Sequence, residues 1–376
     1  MPEEICARPH IGSVVEEPAD VRSTHGVLEI TLTAFNAAQS DGSTRYCFID
    51  AQGRESPNLR VNPGDLVIIH LKNAITEPNQ GDPEASHVHS RMTGNACTSG
   101  TMSISSTNLH FHGLTIPPVC HQDDVLKTSV QPGDPPFEYR FRIPENEAPG
   151  LYWYHPHIHG FSKQQVLGGA SGALIVEGIE RVKREVAGLP ERVFIIRDQD
   201  LINPNASPSK SEPAVPKFMI DRDGDAANNG TGFGKPAKDL SINYVPVPFP
   251  DYPPAIVQMK PGERQLWRVL NASAITYLNL EVLFQRFPQP LGIVAMDGVP
   301  IGYGVDTQAA GESLNWQTHL GIPPGARVEF IVQGPPAGET GLLVNAHGGH
   351  GAGRRERHQQ DAREDYSNTE CSGTTL

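Results

Sequence analysis

A pair of Pro-Gly turns, each running into an apolar strand-like segment, occurs twice in this chain and constrains its fold more than any other feature. Pro63-Gly64 opens onto LVIIHL and then Asn73-Ala74, and Pro261-Gly262 opens onto QLWRVL and then Asn271-Ala272. The landmarks keep one offset, 63 to 261 and 73 to 271. Further on, Pro132-Gly133 precedes FEYRFRIP and Pro324-Gly325 precedes RVEFIV. Pro-Gly turns are common in β proteins, but equal spacing with a repeated Asn-Ala reads as one plan used twice. Residues 23–35 alternate like a half-buried strand, and no stretch reads as an amphipathic helix of any length. The 37 Gly and 34 Pro suit a chain of strands and turns. At 376 residues there is room for two ordinary domains. The expectation is all-β: an N-terminal extension (1–22), then two tandem β-sandwiches at about 23–178 and 190–337. The Asn-, Pro-, Ser-, Asp- and Gly-rich stretch 203–240 reads as a long surface loop in the second.

The formal charge of −13, with no sustained Lys/Arg stripe, argues against nucleic acid and anionic membranes as partners. No apolar run approaches the roughly 20 residues of a membrane helix. The opening MPEEICARPHIG has no apolar segment of the kind a signal peptide needs. None of the 5 Cys has zinc-finger spacing. Cys97 and Cys120 flank the first histidine motif and are expected to pair if the protein is exported. Cys6 and Cys47 are a candidate second pair, and Cys371 is left over.

Two histidine motifs carry the chemistry. NLHFHGL sets His110 and His112 two apart, and GLYWYHPHIHG does the same for His155 and His157. Strand side chains alternate, so each pair aims both imidazoles to one side, with Cβ atoms about 6–7 Å apart. That spacing suits neighbouring metals better than one mononuclear site. Imidazole accepts copper, zinc, iron and nickel, so spacing alone does not name the metal. Trp153 shares the ligand parity, whereas Tyr152 and Tyr154 face away. His159 reads as outside the ligand set, His87 and His89 as solvated loop residues. His121 beside Cys120 is not followed by the His and Met that a thiolate–imidazole copper site needs.

HFHG followed by WYHPHIHG resembles the first two copper motifs of multicopper oxidases, such as laccases and bacterial copper-efflux oxidases. KPGERQLWRVLNAS, MDGVPI and PPGARVEFIV are similar to the family's middle domain, so the likeness covers about residues 23–344. The resemblance implies cupredoxin-like Greek-key sandwiches, with copper ligands in the first domain and none in the second. It implies that His110 binds a type 2 copper and that His112, His155 and His157 bind a type 3 pair. It also implies an acidic proton relay after the first motif, for which Asp123 is the candidate and Asp124 the alternate. The implied activity couples one-electron oxidation of a reducing substrate, phenol-like or a metal ion, to reduction of O2 to water. The resemblance also suggests an extracytoplasmic location.

A third domain of that family supplies a His-Cys-His motif and an HPxHxH motif, neither of which this sequence contains. The type 1 site is therefore expected to be absent, and the chain to be a truncated, inactive piece. The segment 345–376 has no Val, Ile, Phe, Met or Trp and is expected to be a disordered tail. It reads as a frameshift product, because plausible codons read one base on spell a sequence resembling the end of the middle domain. His347 and His350 within it are a weaker ligand pair, three apart and without an aromatic strand. The alternative function is a non-catalytic copper-binding protein. A His-x-His hydrolase lacks its alternating helices here, and a cupin lacks its nearby Glu.

Overall fold

The computed structural model describes residues 5–40, 42–76, 95–98, 102–206, 236–304 and 314–345, and the backbone of 374–375. The stretch 207–235, most of the anticipated second-domain loop, lies outside them. So do His87, His89, His347, His350, Cys371 and most of the off-pattern tail.

The first domain is a β-sandwich. Strands β1 (Asp20–Arg22), β2 (Val27–Ala38), β3 (Thr44–Asp50), β4 (Asn58–Val61) and β5 (Leu66–Asn73) lead into β6 (His110–His112), β7 (Phe137–Arg142), β8 (Gly150–His155) and β9 (Gly172–Val176). One sheet runs β1-β4-β9-β8-β6, and the other runs β3-β2-β5-β7. Alternation along the strands turns Leu28, Ile30, Leu32, Val67, Ile69, Leu71, Tyr139 and Phe141 into the core between them.

The second domain repeats the arrangement. It comprises β10 (Glu191–Gln199), β11 (Asp239–Ile242), β12 (Val245–Val247), β13 (Ala255–Ile256), β14 (Arg264–Asn271), β15 (Leu278–Phe284), β16 (Phe287–Pro288) and β17 (Leu291–Met296). These are followed by β18 (Val299–Pro300), β19 (Asn315–Gln317), β20 (Leu320–Ile322), β21 (Arg327–Gln333) and β22 (Gly341–Asn345). The sandwich thus runs through β22, past the 337 at which the sequence landmarks stop.

The duplication is visible bond by bond. β5 pairs parallel with β2 and antiparallel with β7, as β14 pairs parallel with β10 and antiparallel with β21. The turn glycines Gly64, Gly133, Gly262 and Gly325 all have φ between +68 and +85, the third position of a type II turn after proline. Asn73 donates to Ser105 O and Val130 O and accepts from Ile75 N–H. Asn271 donates to Thr276 O and Ile322 O and accepts from Ser273 N–H. One buried amide thus ties the end of a strand to the segment before the second Pro-Gly turn in each half.

The domains pack through a dry layer. Leu151, Trp153, Ala173 and Ile175 of β8 and β9 meet Val193, Ile195, Leu270 and Ala272. At one rim Arg60 pairs with Asp20, Glu177 and Glu191, and Arg268 pairs with Glu191 and Glu329. At the other the Tyr244 ring lies between the Arg45 and Arg197 guanidiniums. No helix among the described residues is long and apolar enough to cross a membrane.

Candidate metal centre

β6 and β8 pair antiparallel, with His110 opposite His155 and His112 opposite Trp153. This register brings a histidine of the second motif against both of the first. Ring nitrogens of His110, His112 and His155 lie within 4.8 Å of one another. Their ring centroids are 5.2, 5.3 and 5.6 Å apart. His157, beyond Pro156, is placed by its N–H donating to Asn108 Oδ1 at 2.7 Å. Its ring stands 5.4 Å from His110 and 6.1 Å from His155, beside the tight triad rather than in it.

The hydrogen bonds select the nitrogens left for a ligand. His155 Nδ1 is 2.9 Å from Pro156 O, and a carbonyl only accepts, so Nδ1 carries the proton and the Nε2 lone pair is free. His112 Nδ1 faces that lone pair at 3.3 Å. His110 Nδ1 is 3.0 Å from both oxygens of Asp123, whose Oδ1 also accepts the Phe111 N–H at 3.0 Å. A carboxylate on the far nitrogen fixes the ring and strengthens its free nitrogen as a donor. Asp123, singled out from sequence as a proton relay, therefore touches His110 directly. Asp124 accepts the Thr128 N–H through its backbone carbonyl.

Burial holds the His155 imidazole well below its usual pKa. It pushes His112 down to about 3, with help from the positive charge of Arg327. Both rings are neutral at physiological pH, the form that binds a metal. Trp153, 3% exposed, stacks on His155 at 4.0 Å and on His112 at 5.0 Å, a dry wall on one side of the group. Tyr154 faces the other way, its hydroxyl donating to Pro57 O, and Tyr152 likewise turns toward Ala148 O and Glu147. Neutral imidazoles with converging lone pairs fit copper, a metal that nitrogen donors hold well.

His159 is exposed, as its place after Pro156 suggests. Cys97 and Cys120 form a disulfide, as do Cys6 and Cys47, so no thiolate stands beside His121, whose ring stacks on Phe137. The residues that sequence reasoning missed are Asn108, Gly325 and Arg327. Asn108 stands in NLHFHGL, two before His110, but nothing local says that it reaches His157. Gly325 was visible only as a turn.

The multicopper oxidase family model matches residues 101–181. Among curated proteins, the chain is 22% identical to Laccase-3 of Thanatephorus cucumeris over 81% of this chain and 44% of that protein. It is 24% identical to copper resistance protein A of Escherichia coli (74% and 43%) and 27% identical to the iron transport multicopper oxidase fetC of Epichloe festucae (72% and 34%). The chain spans less than half the length of these relatives. Among solved structures it resembles a multicopper oxidase of Campylobacter jejuni, described as a metallo-oxidase, with a TM-score of 0.58 at 19% identity, covering 98% of this chain and 62% of that one.

Proposed function

We propose that this chain, whose residues 101–181 match the multicopper oxidase family model, carries the oxygen-side copper ligands of a laccase-like oxidoreductase. In this reading His110 holds a type 2 copper, and His112, His155 and His157 contribute to a type 3 pair. Copper bound there would supply the one-electron chemistry that couples oxidation of a reducing substrate to reduction of O2 to water. The chain's own residues orient the donors, and burial keeps His112 and His155 neutral. Asp123 and Pro156 O fix the proton-bearing edges of His110 and His155, and Trp153 excludes water from one side. Asp123 is also the group placed to move a proton, since its carboxylate meets His110 Nδ1–H.

The observation that carries the reading is the convergence of three imidazoles across the β6–β8 register. The relatives are named as laccases, copper resistance proteins and an iron transport multicopper oxidase, and a phenol-like molecule or a metal ion is the reducing substrate proposed here. The test is copper content after dialysis, measured by elemental analysis for the chain and for a variant with all four histidines changed to Ala. The intact chain retains copper and the variant does not; equal copper in both removes the site. Oxygen consumption by the loaded chain with a reducing substrate separates an oxidase from a protein that only stores copper.

A further inference from the structure

We propose that the second domain, although it lends no copper ligand, is part of the histidine centre: its Pro324-Gly325 turn and Arg327 position His112. The inference rests on the copper reading above and adds residues to the same site. A methyl group on Gly325 would lie 3.2 Å from His112 Cε1, 3.6 Å from Trp153 Cζ2 and 3.7 Å from His112 Nε2. The bare α-carbon of the turn is therefore the wall behind the ring whose Nδ1 faces His155.

Of the other Pro-Gly turns, Gly64 has a close neighbour too, the Glu145 carboxylate at 2.7–3.0 Å, and the remaining two are open, so contact with a histidine ring is particular to Gly325. At Gly133, the first-domain counterpart of Gly325, nothing would stand within 4 Å of an added methyl, and at Gly262 only Gln333 would, at 3.9 Å. All four share a positive φ, so the strain of a side chain is common to them and the contact with His112 is not.

Arg327 fixes the turn. Its side chain is 4% exposed. Nε donates to Leu151 O of β8 at 3.1 Å, Nη1 to Gly325 O at 3.1 Å, and Nη2 to Asp297 O at 2.8 Å. One planar fork thus joins the strand that carries His155, the turn behind His112 and a neighbouring loop. The same guanidinium packs on Gly113, immediately after His112, where no side chain would fit. Lysine keeps the charge but cannot span three carbonyls in fixed directions. A ligand displaced by a fraction of an ångström changes the field at the metal, so these contacts act on geometry more than on stability.

The experiment uses the full chain loaded with cupric ion, with electron paramagnetic resonance and competitive titration as readouts. Gly325→Ala and Arg327→Lys are expected to shift the copper hyperfine pattern and to weaken binding at least about tenfold. Gly133→Ala, which carries the same backbone strain away from the site, is expected to leave both unchanged. Arg327→Lys adds nothing at His112 and carries the test if Gly325→Ala does not fold. A copper signal that depends on His110 and His155 but is indifferent to Gly325→Ala and Arg327→Lys overturns this inference and leaves the copper reading standing. A signal that survives loss of those histidines overturns both.

Discussion

At the scale of single residues, the centre is built from side chains that prepare a nitrogen rather than from nitrogens alone. Asp123→Ala removes the acceptor on His110 Nδ1 and is expected to lower copper affinity by about 10- to 100-fold in a chelator competition. An unchanged affinity would show that the ring keeps its orientation without the carboxylate. The depressed pKa of His112 has a second consequence. The folded chain holds this ring neutral down to about pH 3, whereas the unfolded chain protonates it near pH 6.5. The unfolded state therefore binds more protons between those values, and the stability this ring allows is complete above about pH 6.5 and declines as pH falls toward 3. Metal-free wild type and His112→Gln, followed by thermal melts, should converge or cross on acidification. A constant gap from pH 7 to pH 4 would refute this. Color tests the thiolate side: four of the 5 cysteines are in disulfides, and the copper-loaded chain is expected to lack the intense blue of thiolate-bound copper.

At the scale of elements, much of the frame was legible in the sequence because turns and alternation are local. LVIIHL became β5, QLWRVL became β14, and the repeated Asn is a repeated tie with matching partners. The first His-x-His pair lies on β6 as its alternation suggested, and the parity of Trp153 put it beside His155, but β8 ends at His155 and leaves His157 beyond the strand. What the sequence did not disclose is contact across long separations. Nothing local says that Gly325 meets His112, or that Asn108 reaches His157, because those approaches are set by how sheets and domains stack. Cysteine pairing lies between these cases: Cys97 and Cys120 were adjacent to one motif, and their disulfide closes a loop of sequence separation 23. That loop contains β6, and the bond precedes Asp123 by three positions. Replacing both cysteines with Ala is expected to cost about 3 kcal/mol in denaturant unfolding. A loss near zero would mean that the loop is held by its other contacts.

At the scale of the whole molecule, the two sandwiches share a boundary that neither can lose cheaply. Arg268 and Glu329 are each 1% exposed and paired with each other across β14 and β21. Glu329 also accepts the Leu151 N–H of the first domain at 2.8 Å. Arg60 reaches from β4 to Glu191, which Arg268 also contacts. Arg268→Met would leave two carboxylates with one buried partner fewer and is expected to cost about 3–5 kcal/mol. Because the charged rim and the dry layer bind the domains together, calorimetry of the metal-free chain should show one transition. Two well-separated transitions would mean that the boundary contributes little.

The position of Trp153 gives the protein a built-in optical probe. Its 3 tryptophans occupy three different surroundings: Trp153 stacked on two histidines, Trp267 fully enclosed in the second core, and Trp316 half open to solvent. Bound cupric ion quenches an indole at contact range far more than one in another domain. Emission should therefore dim at its blue, enclosed edge on copper addition, while the red-shifted light of Trp316 persists. Trp153→Phe would leave a chain whose fluorescence no longer registers the metal, so that occupancy of the centre could be followed by light alone, without turnover or colour.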